Sequence, residues 1–369
     1  MFGRICGCVL VLFAFLQTGC LRTMSQLFAV EQPVPLCPPV RKIIATELPA
    51  PTLERVGAEG EVNAIPQYEA AMRARLMARS FEELEQTAAN LRASKERFPG
   101  GAWKLERFYS GVSYPSRDGK SSDQEWQAHL DELRTWVASR PNSLTAQIAL
   151  GKALLGYAWY ARGDGYANTI TNEGGRPYAE RSDRAEQILS GVGEMRKTDP
   201  AWYTVMLEVG VSQGWSRKAF DQVFEEGISV EPLYYYLYFE KARYLMPRWY
   251  GKQFDDERFM DETQRRLGGK EGLAMYYLIG EYLFPYYEYR TIVTSSKICW
   301  ETMKEGYFAM ESLYGVALTR LNTMAKLTGI AAEKPLCNWL FVRLGDRWDP
   351  EVWPKGKADF DQYRCWANS

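Results

Sequence analysis

The chain has 369 residues, 46% of them hydrophobic and 25% charged, with a formal net charge of −1, enough for one large domain or two ordinary ones. The balanced charge and the lack of a Lys/Arg cluster argue against a nucleic-acid partner or a polybasic membrane surface. A single histidine, His129, argues against a His-based zinc or copper site, which needs several ligands.

The N-terminus reads as an export signal. Arg4 is the only charge before residue 22, and an apolar run from Ile5 to Leu16 follows it. That run is about 18 Å long as a helix, too short to span a bilayer but suited to a signal-peptide core. Next comes Gln17-Thr18-Gly19-Cys20, which resembles a bacterial lipobox, the site where a cysteine is lipidated. Thr18 and Gly19 fit, while Gln17 stands where Leu is usual. The expectation is a lipoprotein-type signal over residues 1–19 and a lipid on Cys20. The chain would then be exported and membrane-anchored through that lipid, facing the periplasm or associated with the outer membrane. An ordinary cleaved signal, an uncleaved anchor, and a start at Met24 are the alternatives.

Residues 20–65 read as a proline-rich tether, because Pro33, Pro35, Pro38, Pro39, Pro49, Pro51 and Pro66 interrupt any helix. Four cysteines remain beyond Cys20: Cys37, Cys299, Cys337 and Cys365. An oxidising compartment permits disulfides among them. Cys337 and Cys365 flank one terminal segment and form the favoured pair, with free buried thiols as the alternative.

The remainder, 66–369, is expected to be helical. Ser80 and Glu83 form an S-x-x-E capping pair, and Phe81, Leu84, Ala88, Leu91 and Phe98 make one apolar stripe. A polar loop from Ser113 to Ser122 precedes the stripe Trp126, Leu130, Leu133, Trp136, Val137, placing helices over 124–140 and 144–162. His129 falls on the polar side of the first of these and is expected at the solvated surface. Asp199-Pro200 starts a helix carrying Tyr203, Met206, Leu207 and Gly210. Gly214 ends it, Ser216 caps the next, and Glu231-Pro232 begins a third. The spacing from Pro200 to Pro232 is close to the roughly 34-residue tetratricopeptide period. The fold class is therefore all-α, an irregular tetratricopeptide-like helical-repeat array. The tyrosines at 234, 235 and 238, the pair Tyr276-Tyr277, and Tyr286, Tyr287 and Tyr289 are expected in the core.

From Gly156 to Gly251 the chain resembles a bacterial family known as domain of unknown function 4034. The likeness is carried by Ala161-Arg162-Gly163-Asp164-Gly165-Tyr166-Ala167, Asp199-Pro200-Ala201-Trp202-Tyr203, Gln213-Gly214-Trp215, Glu231-Pro232 and Leu245-Met246-Pro247-Arg248-Trp249. Gly345-Asp346-Arg347-Trp348-Asp349 and Val352-Trp353 extend it. The resemblance implies a helical, tetratricopeptide-like domain and no particular reaction.

No catalytic residue, metal ligand or cofactor motif is assigned. There is no G-x-S-x-G elbow, P-loop or dinucleotide fingerprint. Arg162, Asp164, Tyr166, Trp215, Arg248 and Trp249 are the candidates for a ligand or partner pocket, with caps at helix ends as the plainer reading. The leading functional expectation is a non-enzymatic module for a protein or peptide partner in the cell envelope. The alternative is a glycan-binding or glycan-cleaving enzyme using carboxylates such as Asp255, Asp256, Asp346 and Asp349.

Overall fold

A computed structural model describes residues 48–117, 120–162, 172–287 and 297–369. The signal, Cys20 and Cys37 lie outside the described residues, as do Asp164, Tyr166 and Tyr289. Fifteen α-helices follow in order, with no strand among the described residues. They are α1 Ala64–Met77, α2 Phe81–Ser94, α3 Lys104–Ser113, α4 Asp123–Ser139, α5 Leu144–Arg162, α6 Asn172–Ser190, α7 Pro200–Gln213 and α8 Arg217–Val230. Next come α9 Tyr235–Leu245, α10 Asp255–Leu267, α11 Gly269–Leu283, α12 Trp300–Tyr314, α13 Leu318–Ile330, α14 Lys334–Leu344 and α15 Lys357–Asn368. No helix among the described residues is long and apolar enough to cross a membrane.

Local chemistry sets most boundaries. Asp199 caps α7 by accepting from the Ala201 N–H at 2.9 Å, and Ser216 caps α8 through the Ala219 N–H at 3.3 Å. Gly214 ends α7 at φ 68°, a left-handed position that costs glycine little. Two expectations fail. Ser80 makes no side-chain cap bond, whereas Ser122 and Glu125 form a full capping box at the start of α4. Glu231 is the C-cap of α8, and α9 begins only at Tyr235, after a turn through Pro232.

Burial pattern sorts the helices into layers. α5 and α7 are buried almost all round, whereas α8 buries only Phe220, Phe224, Gly227 and Ile228. A helix apolar on every side belongs between neighbours and one with a single stripe belongs outside. Accordingly α3, α5, α7, α9 and α11 pack each on the next as an inner layer, with α4, α6, α8 and α10 forming the connecting layer. α11 crosses α12 at close range. A Cβ at Gly306 would lie 2.4 Å from the Leu273 carbonyl oxygen, so only glycine permits it. Tyr234, Tyr235, Tyr238, Tyr276 and Tyr277 are all in the core, but Tyr286 is 39% exposed.

The inner helices are also tied by buried charge. Lys152 of α5 donates to Glu106 of α3 at 2.5 Å, and the Tyr234 hydroxyl donates to the other Glu106 oxygen at 2.7 Å. Burial raises the Glu106 carboxyl, but Lys152, Tyr234 and Arg107 outweigh it and hold the group below the usual carboxylate range. At the N-terminus of α7, Asp199 also accepts from Arg92 at 2.9 Å and from the Tyr109 hydroxyl at 2.6 Å.

The array closes on itself. The Gly100 N–H donates to Gly315 O at 3.1 Å, Arg320 Nε donates to Gly100 O at 3.2 Å, and Arg117 pairs with Glu351. The described part of the expected tether is not free. Trp339 Nε1 donates to Pro49 O at 2.8 Å, the Glu54 N–H donates to Arg343 O at 2.8 Å, and Arg343 binds the Glu54 carboxylate. Pro66 sits in the first turn of α1, where a missing N–H breaks no helical bond.

Two further expectations are corrected. His129 is 2% exposed and its Nε2 donates to Val112 O at 2.8 Å. α4 packs on α1 as well as on α5, so its nominally polar side is covered. The Cys337–Cys365 pairing is also absent. Cys337 is buried, with its Sγ 3.5 Å from Ala325 O, Cys365 is exposed, and both are free thiols. Among the described residues Cys299 is disulfide-bonded.

Candidate functional site

The C-terminal ends of α5, α7, α9 and α11 gather at one end of the inner layer, and each delivers aromatic or arginine side chains there. From α5 come Trp159, Tyr160 and Arg162, and Arg248, Trp249 and Tyr250 follow α9. Trp159 meets Trp249 edge to face with centroids 5.7 Å apart and Tyr178 of α6 at 5.2 Å. The Arg162 guanidinium lies 5.0 Å from the Trp159 ring and 5.8 Å from that of Trp249. Arg243, in the last turn of α9, approaches the same two rings at 5.6 and 6.0 Å. All four distances fall at or inside the range of cation–π attraction. Arginines also suit this end of the layer because unpaired carbonyls give helix C-termini a partial negative charge.

The loop after α9 is held by tyrosine hydroxyls on carbonyls of the segment that ends α7. Tyr250 donates its hydroxyl to Val211 O at 2.7 Å, and Tyr244 donates to Trp215 O at 2.8 Å. Gly251 closes the turn against α9 so tightly that a Cβ there would sit 1.6 Å from Leu245 O. This places Arg248 over the Tyr286 ring at 5.6 Å. Tyr160, Tyr250 and Tyr286 are 41%, 44% and 39% exposed, so the end of the layer presents rings to solvent above a buried arginine.

The electrostatics beneath the face are unusual. Arg243 pairs with Glu240, and both side chains are almost fully buried. Burial, reinforced by Glu208 and opposed by Arg243, pushes the Glu240 carboxyl up to about 7. Trp159 Nε1, Trp249 Nε1 and Arg243 Nε are buried donors with no hydrogen-bond acceptor among the described residues. Buried donors left unpaired are rare in native proteins, and three share this cluster.

Of the residues singled out from sequence, Arg162 and Trp249 are in contact. Arg248 lies beside them over Tyr286. Trp215 flanks the face, with its Nε1 donating to Gln213 at 2.8 Å. Asp164 and Tyr166 lie outside the described residues, so an Arg248–Asp164 tie is not described. Trp159, Glu240 and Arg243 were missed because each sits within a helix dominated by core residues, and Tyr178 because it lies in a polar segment that carries no motif. Trp159 is three residues before Arg162, which puts the two on one helix face, and that spacing was the available signal.

The carboxylates considered for hydrolysis are each engaged by other groups. Asp255 pairs with Arg258, Asp346 pairs with Arg364 at 2.6 Å, and Asp349 accepts from the Glu351 N–H at 2.9 Å. Asp256 accepts from the Tyr287 hydroxyl. Three of the four are thus committed to ion pairs or a cap, and the fourth is buried under a tyrosine.

Fold and site together define an all-α helical-array protein with an aromatic and arginine face at one end of its inner layer. Comparison with protein-family models, with curated proteins and with solved structures returned no match.

Proposed function

We propose that this chain is an exported, lipid-anchored relative of the domain of unknown function 4034 family. In this reading it is a non-enzymatic docking module for a protein or peptide partner in the cell envelope. The observation that carries the reading is the convergence of Arg162, Arg243 and Arg248 with Trp159, Trp249, Tyr250 and Tyr286 on one face. Tyrosine, tryptophan and arginine are enriched among the residues that dominate binding energy at protein interfaces, the rings because they bury large areas with few rotatable bonds and arginine because its planar guanidinium both stacks and donates several hydrogen bonds. A disulfide at Cys299 is a bond that an oxidising compartment permits, and lipidation of Cys20 would hold the face near a membrane.

The test is photo-crosslinking in intact cells. A photoreactive residue replaces Tyr250 or Tyr286 on the face, and Met195 at the opposite end of the inner layer serves as control. Discrete adducts at the first two positions and none at Met195 are expected. Equal adducts at all three, or none, would refute the docking face. Intact mass of the wild type beside Cys20→Ser tests the anchor separately, since only the wild type should carry a lipid-sized increment.

A further inference from the structure

The last helix, α15, carries a second site. Asp359, Gln362, Tyr363 and Trp366 recur at spacings of three, one and three, which puts them on one side of that helix. They line a cavity of about 490 Å³ whose wall is completed by Lys355 and by Gly329 and Ile330 at the end of α13. That volume is within the range of small-molecule pockets.

The aromatic part of the wall is built into the fold. A Cβ at Gly329 would lie 2.4 Å from Tyr363 Cδ1, so glycine is what lets that ring lie against α13. The same ring packs on the buried Trp353, with centroids 5.2 Å apart. Trp366 is covered less. Lys334 Nζ lies 5.9 Å from its ring, and the residue is 38% exposed. An indole is therefore offered to solvent beside a fixed tyrosine.

The polar part of the wall is uncommitted. The side chains of Lys355, Asp359 and Gln362 make no hydrogen bond or ion pair among the described residues. Lys355 and Gln362 are exposed and Asp359 is half-buried, so all three are within reach of a ligand. They supply an ammonium that only donates, a carboxylate that only accepts and an amide that does both. A simple anion would face Asp359 and a simple cation would face Lys355. A neutral ligand avoids both penalties. Sugar hydroxyls each donate and accept, so neighbouring ones serve the carboxylate and the ammonium together, and the C–H face of the ring is an apolar surface for the indole. A trans peptide unit points its N–H and its C=O in opposite directions, so one unit does not serve both groups.

We propose that this cavity binds a neutral saccharide of one or two rings, with a sugar face stacked on Trp366 and hydroxyls shared among Asp359, Gln362 and Lys355. The site is separate from the aromatic and arginine face and stands whether or not that face docks a partner.

Ligand-observed NMR titration with maltose, cellobiose and N,N′-diacetylchitobiose is the test, with N-acetyl-L-alanine N′-methylamide as a neutral peptide control. Saturable binding of at least one disaccharide is expected, with weaker binding of the control. Trp366→Ala and Asp359→Asn should each weaken the disaccharide about tenfold, the first by removing the stacking surface and the second by removing a charged acceptor. Neither side chain makes a hydrogen bond among the described residues, so both variants should fold, which circular dichroism checks. No saturable binding of any disaccharide would overturn the proposal, as would binding that either variant leaves unchanged. Equal or tighter binding of the control would overturn it too, by showing a peptide site.

Discussion

Lys152→Met tests whether the inner layer is held by the ion pair between α3 and α5. The Lys152 and Glu106 side chains are 8% and 5% exposed, and they meet at 2.5 Å. Removing the ammonium leaves a buried carboxylate with the Tyr234 hydroxyl as its remaining close donor. Breaking a buried pair from one side costs about 3–5 kcal/mol. At roughly 2 °C per kcal/mol for a chain of this size, Tm should fall by about 6–10 °C. The pH dependence has a definite sign. In the wild type the Glu106 carboxyl is held below its ordinary range, so its contribution is present above the unfolded pKa and is lost as pH falls through the folded one. In the variant burial acts unopposed by Lys152, and the folded pKa rises above the unfolded value. Stability is then greatest at acid pH and declines as pH rises. The gap between the two proteins should therefore narrow between pH 8 and pH 5. Urea denaturation followed by tryptophan fluorescence at both pH values reads this directly. The double variant Glu106→Gln/Lys152→Met, which buries no charge, should recover most of the loss. A loss under about 1 kcal/mol, or a gap that does not change with pH, would refute the reasoning.

His129 is the only histidine, so its ring protons are a clean probe. Burial, opposed by the bond to Val112 and assisted by Arg73, pushes it down to about 4, so its NMR signals should not titrate between pH 8 and 5.5. A midpoint near 6.5, the ordinary value, would place it in solvent. Its contribution to stability should be present above the unfolded pKa and should fade as pH drops toward 4. Gly251→Ala forces the loop off α9 and should cost about 2–3 kcal/mol in urea denaturation, with weaker crosslinking at Tyr250. A cost near zero would mean the loop takes another path. Alkylation of the unreduced protein should label Cys365 first. It should reach Cys337, whose thiol burial pushes up to about 12, only on unfolding, and Cys299 only after reduction. Peptide mass spectrometry distinguishes these, and early labelling of Cys337 would contradict its burial.

Local chemistry is legible in the sequence of this protein. The caps Asp199 and Ser216, the break at Gly214, the span of α5 and the buried stripe of α4 all depend on residues within one or two turns of each other, and periodicity reports them. The all-α class follows from the same pattern. Arg162 and Trp249 were picked out by their place at helix ends, which is where the structure brings them together. What local pattern does not hold is which second surface covers a helix. His129 reads as solvated until α1 lies over α4, and residues 49–54 read as tether until Trp339 and Arg343, nearly three hundred positions away, bind them. Cys337 and Cys365 sit close in sequence, but one thiol is buried and the other exposed. The array closes only because residues such as Gly100 and Arg320 meet across it, and a contact between segments so distant leaves no period to read.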